Sequence, residues 1–241
     1  MTFSFETLAY AFLGGTLPTL VWLYFLLKED ARCPEPRHMI IIALFAGMLA
    51  VPLALPLEHF AVTHLPNVDP SPGLGVIVAW ATIEEVLKYL LAALLVLWRR
   101  DVNESVDLVV YMITVALGFA AIENMLFLIQ PIAQGHLSAG IATQNLRFIG
   151  STLVHVVASS IIGFALAFSY RLPRMWRALA AAGGLILAIA LHTSFNFLII
   201  LKDGSHTLLA FFTVWTGAVV FLALFEILKY FRYHRLPKNT C

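Results

Sequence analysis

The chain has 241 residues, 61% of them hydrophobic and only 12% charged, where an ordinary water-soluble domain carries about 25% charged residues. A mean hydropathy of +0.88 therefore points to an all-α integral membrane protein, expected as a single polytopic domain over residues 1–241. The formal net charge of +1 excludes the basic footprint of a nucleic-acid binder, so the expected surroundings are a lipid bilayer and no nucleic acid.

Seven apolar runs have the length to cross a bilayer, at 7–28, 38–58, 75–98, 106–130, 145–170, 176–201 and 207–231. The first has no basic residue before it and is longer than a signal-peptide core, so it is expected to be retained as a helix. The stretch Leu53–Gly75 holds Pro52 at its edge and Pro56, Pro66, Pro70 and Pro72 within it, and leaves room for an eighth, re-entrant segment. Trp80, Trp98 and Trp176 lie near helix ends and read as an interfacial belt. Arg147, at the start of the fifth run, reads as an interfacial anchor. Cys33 and Cys241 fall in a loop and the tail, offering neither a disulfide framework nor a metal spacing. No lipidation motif follows Cys241.

Basic residues orient the bundle. Lys28, Arg32 and Arg37 follow the first run, Arg99 and Arg100 the third, Arg171, Arg174 and Arg177 the fifth. Lys229, Arg232, Arg235 and Lys238 occupy the tail, while the intervening connections hold only Lys202. This alternation predicts a multi-pass protein of the cell membrane with its N-terminus outside and its C-terminus cytoplasmic.

The third run contains I-E-E-V-L-K-Y at Ile83–Tyr89. Each ionisable side chain there would cost roughly 2.5–3.5 kcal/mol facing lipid, against a gain of about 0.3–0.6 kcal/mol per apolar residue. Glu84, Glu85 and Lys88 must therefore face protein or trapped water. Three other helices also carry polar residues far from their ends: Glu123 and Asn124 in the fourth, His155 and Ser159 in the fifth, His192 and Asn196 in the sixth. At 1.5 Å rise per residue, Glu84, His155 and His192 lie roughly 14–15 Å from the outer helix ends and Glu123 roughly 11 Å. Alternating helix direction thus brings all four to one level in the outer half of the membrane. Glu84 with Lys88, His155 with Ser159, and His192 with Asn196 share faces at i, i+4. Glu85 is turned about 100° from Glu84, so the two carboxylates need different partners. Gly118, five residues before Glu123, permits close approach of a neighbouring helix.

Two imidazoles and a carboxylate make a common catalytic zinc site with an open position for water, and a further carboxylate can act as general base on that water. The expected ligands are Glu123, His155 and His192, the base Glu84 or Glu85. Lys88 would hold one glutamate ionised or orient it. Asn196 would donate to a tetrahedral oxyanion or support His192. An ion pair that only fixes packing would explain one glutamate of the third run and not two. Ser159 reads as helix-packing glue. Two rivals are a proton- or ion-coupled transporter, in which Glu and His relay protons, and a scaffold derived from a dead enzyme. Internal repeats and broken helices, the marks of many transporters, are missing from the sequence.

E-E-x-x-K at Glu84–Lys88, F-x-x-x-E at Phe119–Glu123, H-x-x-x-S at His155–Ser159 and H-x-x-x-N at His192–Asn196 together resemble the PrsW-type intramembrane proteases. These are relatives of the CAAX prenyl endopeptidases and of bacteriocin-processing membrane proteases. The resemblance covers about residues 80–197, within the helices at about 75–201. It implies a membrane-embedded peptidase that cuts a membrane-anchored protein, such as an anti-sigma-factor-like substrate, near the extracytoplasmic face. The CAAX endopeptidases carry an arginine one position later than Lys88 and a histidine where this chain has Glu123, which favours the PrsW branch. The resemblance also brings a metal-free alternative, with Glu84 as the base on water and His192 and Asn196 as the oxyanion site.

Overall fold

The computed structural model describes residues 3–29, 34–66, 72–136, 142, 145–200 and 205–235. Among these residues the chain is all-helical, with seven long helices. They are α1 (Phe5–Glu29), α2 (Arg37–His64), α3 (Leu74–Ala92, running on as a π-helical turn Ala93–Leu97), α4 (Ser105–Ala133), α5 (a π-helical turn Arg147–Ser151 leading into Thr152–Phe168), α6 (Arg174–Ile200) and α7 (Thr207–Arg235). Six are long and apolar enough to cross a membrane. The exception is α3, whose 19 α-helical residues include Glu84, Glu85 and Lys88. Leu53–His64, part of the stretch where a re-entrant segment had room, instead continues α2 through Pro52 and Pro56. Cys33, Cys241, Arg32, Pro70, Lys202 and Lys238 lie outside the described residues.

The central post is α4. In its most apolar stretch 89% of the residues are buried, against 22% in α6 and α7, so the other helices pack around it. A reciprocal cap begins it at Ser105: the backbone N–H groups of Asn103 and Glu104 both donate to Asp107 Oδ2 at 2.9 Å, satisfying donors that a helix start otherwise leaves open. Within lipid, helices associate through close packing of small residues rather than through the hydrophobic effect. The crossing of α2 and α4 shows this directly. A Cβ on Gly118 would lie 2.0 Å from the carbonyl oxygen of Leu44, and one on Gly47 would lie 1.9 Å from that of Val115. Only hydrogen atoms fit between these backbones, which fulfils the close approach expected at Gly118.

The buried core runs through α2, α4 and α5, with Ala43, Val109, Met112 and Ile162 at its centre. A smaller patch joins α5, α6 and α7 through Leu153, Val157, Phe195 and Val214. Leu94, Ile186 and Phe212 face outward, as expected of side chains that meet lipid. At the end of the bundle away from the polar cluster, Tyr111 donates to Glu35 and Lys229 bridges Glu226 at 2.6 Å and Glu29 at 3.0 Å. Trp98 and Trp176 are exposed at helix ends. Trp80 differs from the expected belt position: it is half-buried and donates to the carbonyl oxygen of Glu58 at 3.4 Å.

Candidate active site

The polar residues of α3, α4, α5 and α6 meet, as their common depth predicted. Glu85 and Lys88 are completely buried, and Glu84, His155 and His192 nearly so. One turn of α3 supplies both carboxylates. Because neighbouring residues are about 100° apart around a helix, Glu84 and Glu85 face different partners.

Glu85 is fully engaged. Its Oε1 accepts from Lys88 Nζ at 2.5 Å and from His192 Nδ1 at 2.9 Å, and its Oε2 from Ser159 Oγ at 3.4 Å. Lys88 thus pairs with Glu85, three residues away, rather than with Glu84. Lys88 Nζ also donates to His155 Nδ1 at 3.0 Å and lies 4.7 Å above the ring of Phe119. The phenylalanine of F-x-x-x-E forms one wall of the cluster, 5.1 Å from the His155 ring.

Glu123 reaches the opposite nitrogen of His155. Its Oε2 lies 2.9 Å from His155 Nε2 and 2.5 Å from Arg147 Nη2, with Ser151 Oγ at 3.5 Å. Arg147 Nε donates to Asn124 Oδ1 at 2.6 Å, and Asn124 Nδ2 to Thr152 Oγ1 at 2.9 Å. Arg147 is therefore not an interfacial anchor: its guanidinium turns inward and covers the Phe127 ring at 3.8 Å.

The imidazole tautomers follow from these contacts. An ammonium only donates, so His155 Nδ1 accepts from Lys88 and His155 Nε2–H donates to Glu123. A carboxylate only accepts, so His192 Nδ1–H donates to Glu85 and His192 Nε2 keeps a lone pair. Glu84 Oε2 sits between them, 3.8 Å from His155 Nδ1 and 3.8 Å from His192 Nε2. It is buried and makes no hydrogen bond. A buried polar atom without a partner is costly. Glu84 Oε2, His155 Nδ1 and His192 Nε2 converge on one space, with Lys88 Nζ donating to His155 Nδ1 at its edge, and their atom types suit a cation or a water there.

Among the described residues, one group of three has donor atoms within 4.8 Å of one another: Glu84, His155 and His192. The expected set contained Glu123 in place of Glu84. In the structure Glu123 engages the outer nitrogen of His155, and Glu84 faces the shared space. Asn196 is half-buried one turn beyond His192 and is not hydrogen-bonded into the cluster. Glu58, not singled out in the sequence, is half-buried and within electrostatic reach of Glu84, Glu123 and Lys88. An acidic residue inside a long proline-containing helix was the available signal.

The chain matches the family model described as "PrsW family intramembrane metalloprotease" over residues 35–226. Protease PrsW of Bacillus subtilis (strain 168) is 28% identical over 211 residues, covering 85% of this chain and 90% of the relative. The Geobacillus kaustophilus (strain HTA426) protein of the same name is 25% identical over 214 residues, covering 86% and 88%. That of Clostridioides difficile (strain 630) is 25% identical over 196 residues, covering 79% of each. No solved structure matches the chain. The transporter reading gains nothing from these relatives. A buried Glu–His–His group, a bundle of membrane-length helices and a family match across most of the sequence coincide: the chain belongs to the PrsW family of intramembrane metalloproteases and is a multi-pass membrane protease.

Proposed function

We propose that the protein hydrolyses a peptide bond of a membrane-anchored protein near the extracytoplasmic face, with Glu84 as the carboxylate that faces the attacking water. The observation that carries this reading is the buried, unbonded Glu84 Oε2 placed equally far from two imidazole nitrogens.

Glu84, His155 and His192 fit a divalent ion, and their donor types suit zinc. Zinc bound there would polarise the scissile carbonyl and make water nucleophilic at neutral pH. The chain's own residues prepare that space. Glu85 fixes the His192 tautomer, and Lys88 balances the charge of Glu85. Glu123 fixes His155 in the same way, as carboxylates commonly do for metal-binding histidines. In hydrolysis the water oxygen bonds to the carbonyl carbon, one of its protons passes to the Glu84 oxygen that holds no ion, and that proton reaches the departing amine as the C–N bond breaks. Asn196, one turn beyond His192 on α6, would donate to the carbonyl oxygen.

A second reading is favoured by Lys88 Nζ at 3.0 Å from His155 Nδ1, which must move if a metal binds that nitrogen. By this reading Glu84 activates water without metal, and His192 and Asn196 bind the oxyanion. The positive-inside orientation and an anti-sigma-factor-like substrate belong to both readings.

Purified protein in proteoliposomes, given a membrane-anchored reporter, tests the proposal. Glu84→Gln should lower cleavage by about a hundredfold or more and leave the helical content unchanged. Retained cleavage in that variant would overturn it. One zinc per chain, lost on chelation together with activity, selects the metal reading; full activity in metal-free protein selects the other.

A further inference from the structure

Two chains of charge converge on Glu84, and their geometry matches. In the first, Lys88 Nζ and His192 Nδ1 both donate to Glu85 Oε1, at 2.5 and 2.9 Å. In the second, Arg147 Nη2 and His155 Nε2 both donate to Glu123 Oε2, again at 2.5 and 2.9 Å. Each is a cation, a carboxylate and an imidazole in series, and each imidazole has its remaining nitrogen 3.8 Å from Glu84 Oε2, that of His155 also accepting from Lys88 Nζ at 3.0 Å. Lys88 belongs to the E-E-x-x-K motif. Arg147, its counterpart, belongs to none of the four motifs.

The direction of the Arg147 side chain is the telling detail. Arg147, Ser151 and His155 are spaced by four, so they share one face of α5. Arg147 and His155 are about 12 Å apart along the axis of a regular helix, yet both touch the same oxygen of Glu123. Arginines near the ends of membrane helices usually extend outward to the interface. This one extends inward, and its fork engages both Glu123 and Asn124. The π-helical turn Arg147–Ser151 is where it departs from the α-helical ladder, a distortion frequently found at functional sites.

We infer that Arg147 is the positioning residue of the His155 arm: it holds Glu123 as the acceptor of His155 Nε2–H, and so keeps Nδ1 as the unprotonated nitrogen beside Lys88 Nζ and 3.8 Å from Glu84 Oε2. The inference rests on the proposed roles of Glu84, His155 and His192. Arg147 bonds Glu123 and Asn124, and its effect on Glu84 runs through them.

Arg147→Gln, Arg147→Lys, Glu123→Gln and the Arg147→Gln/Glu123→Gln double variant would be purified and assayed on the membrane-anchored reporter, with zinc affinity measured by equilibrium dialysis. Arg147→Gln should lower kcat about tenfold to a hundredfold, leave KM unchanged, and weaken zinc binding by about tenfold. The double variant should be no slower than Glu123→Gln alone, because the arginine acts through the carboxylate. Arg147→Lys should recover part of kcat, since it keeps the charge and loses the fork. Multiplicative losses in the double variant overturn the inference. So does a raised KM with kcat intact, or lowered thermal stability with kcat and zinc affinity intact. If Arg147→Gln does not fold, a kcat for Arg147→Lys equal to that of the unaltered protein overturns it. If the unaltered protein binds no zinc, the metal reading fails, and the kcat comparison among the same variants still decides the role of Arg147.

Discussion

His155 and His192 stand edge to face, with ring centroids 4.8 Å apart and planes at 87°. They come from antiparallel neighbours, α5 and α6, and their orientation is imposed from outside the pair. Glu123 holds the far nitrogen of one ring and Glu85 the near nitrogen of the other. The crossed rings therefore bring Nδ1 of one, beside Lys88 Nζ, and Nε2 of the other within 3.8 Å of the same oxygen of Glu84.

If these two nitrogens hold zinc, removing either ring should empty the site. His155→Ala and His192→Ala are each expected to retain well under one zinc per chain, measured by elemental analysis. Asn196→Ala should keep the metal and lose cleavage by about a hundredfold, in line with the loss of one oxyanion donor. Zinc that stays stoichiometric in both histidine variants would place it elsewhere.

The Lys88–Glu85 pair should behave as a unit. Lys88→Met leaves a completely buried carboxylate without its cation, and breaking a buried pair in this way costs about 3–5 kcal/mol. Lys88→Met combined with Glu85→Gln should recover much of that stability in a denaturation series in detergent, while remaining inactive because His192 has lost its charged acceptor. A double variant no more stable than Lys88→Met alone would contradict the pairing.

The crossing of α2 and α4 should tolerate no side chain. Gly118→Ala places a methyl group 2.0 Å from the Leu44 carbonyl oxygen, so the two backbones must separate. A loss of about 1–3 kcal/mol is expected, read as a lowered unfolding midpoint. The effect should reach the site, because α4 carries Glu123 five residues further on. An unchanged midpoint and unchanged cleavage would show that the helices are not in contact there.

Orientation can be read by labelling. In a background with Cys33 and Cys241 replaced, a cysteine introduced at Gly135 should react with a membrane-impermeant maleimide on intact cells. One at Arg100 should react only after lysis. The reverse pattern would put the polar cluster in the cytoplasmic half of the membrane.

The common level of the polar residues was legible in the sequence because helical rise is fixed. Counting residues from Gly75, Gln130 or Leu201 to Glu84, Glu123 or His192 needs no knowledge of packing, and the polar residues of the four helices do meet. Rotation about each helix axis was not legible. Glu123 lies at the right level for a ligand, but α4 turns it to the outer nitrogen of His155, and Glu84 takes the inner position. Rotation of the helices decides that exchange, and it is set by contacts such as Gly47 against Val115 rather than by local sequence. Arg147 was missed for a related reason. A long flexible side chain at a helix end can point either way, and only its partners Glu123 and Asn124, on another helix, choose the inward direction.

The helices that carry the site are unequally buried. His155 and Glu123 ride on α5 and α4, where 78% and 89% of the most apolar stretch is buried, whereas His192 rides on α6, where the share is 22%. The site is thus assembled half on the bundle's axis and half on its rim. The His192 arm is therefore carried by a helix whose apolar stretch is mostly uncovered by the rest of the bundle, and the Glu123–Arg147–His155 arm by helices that are mostly covered.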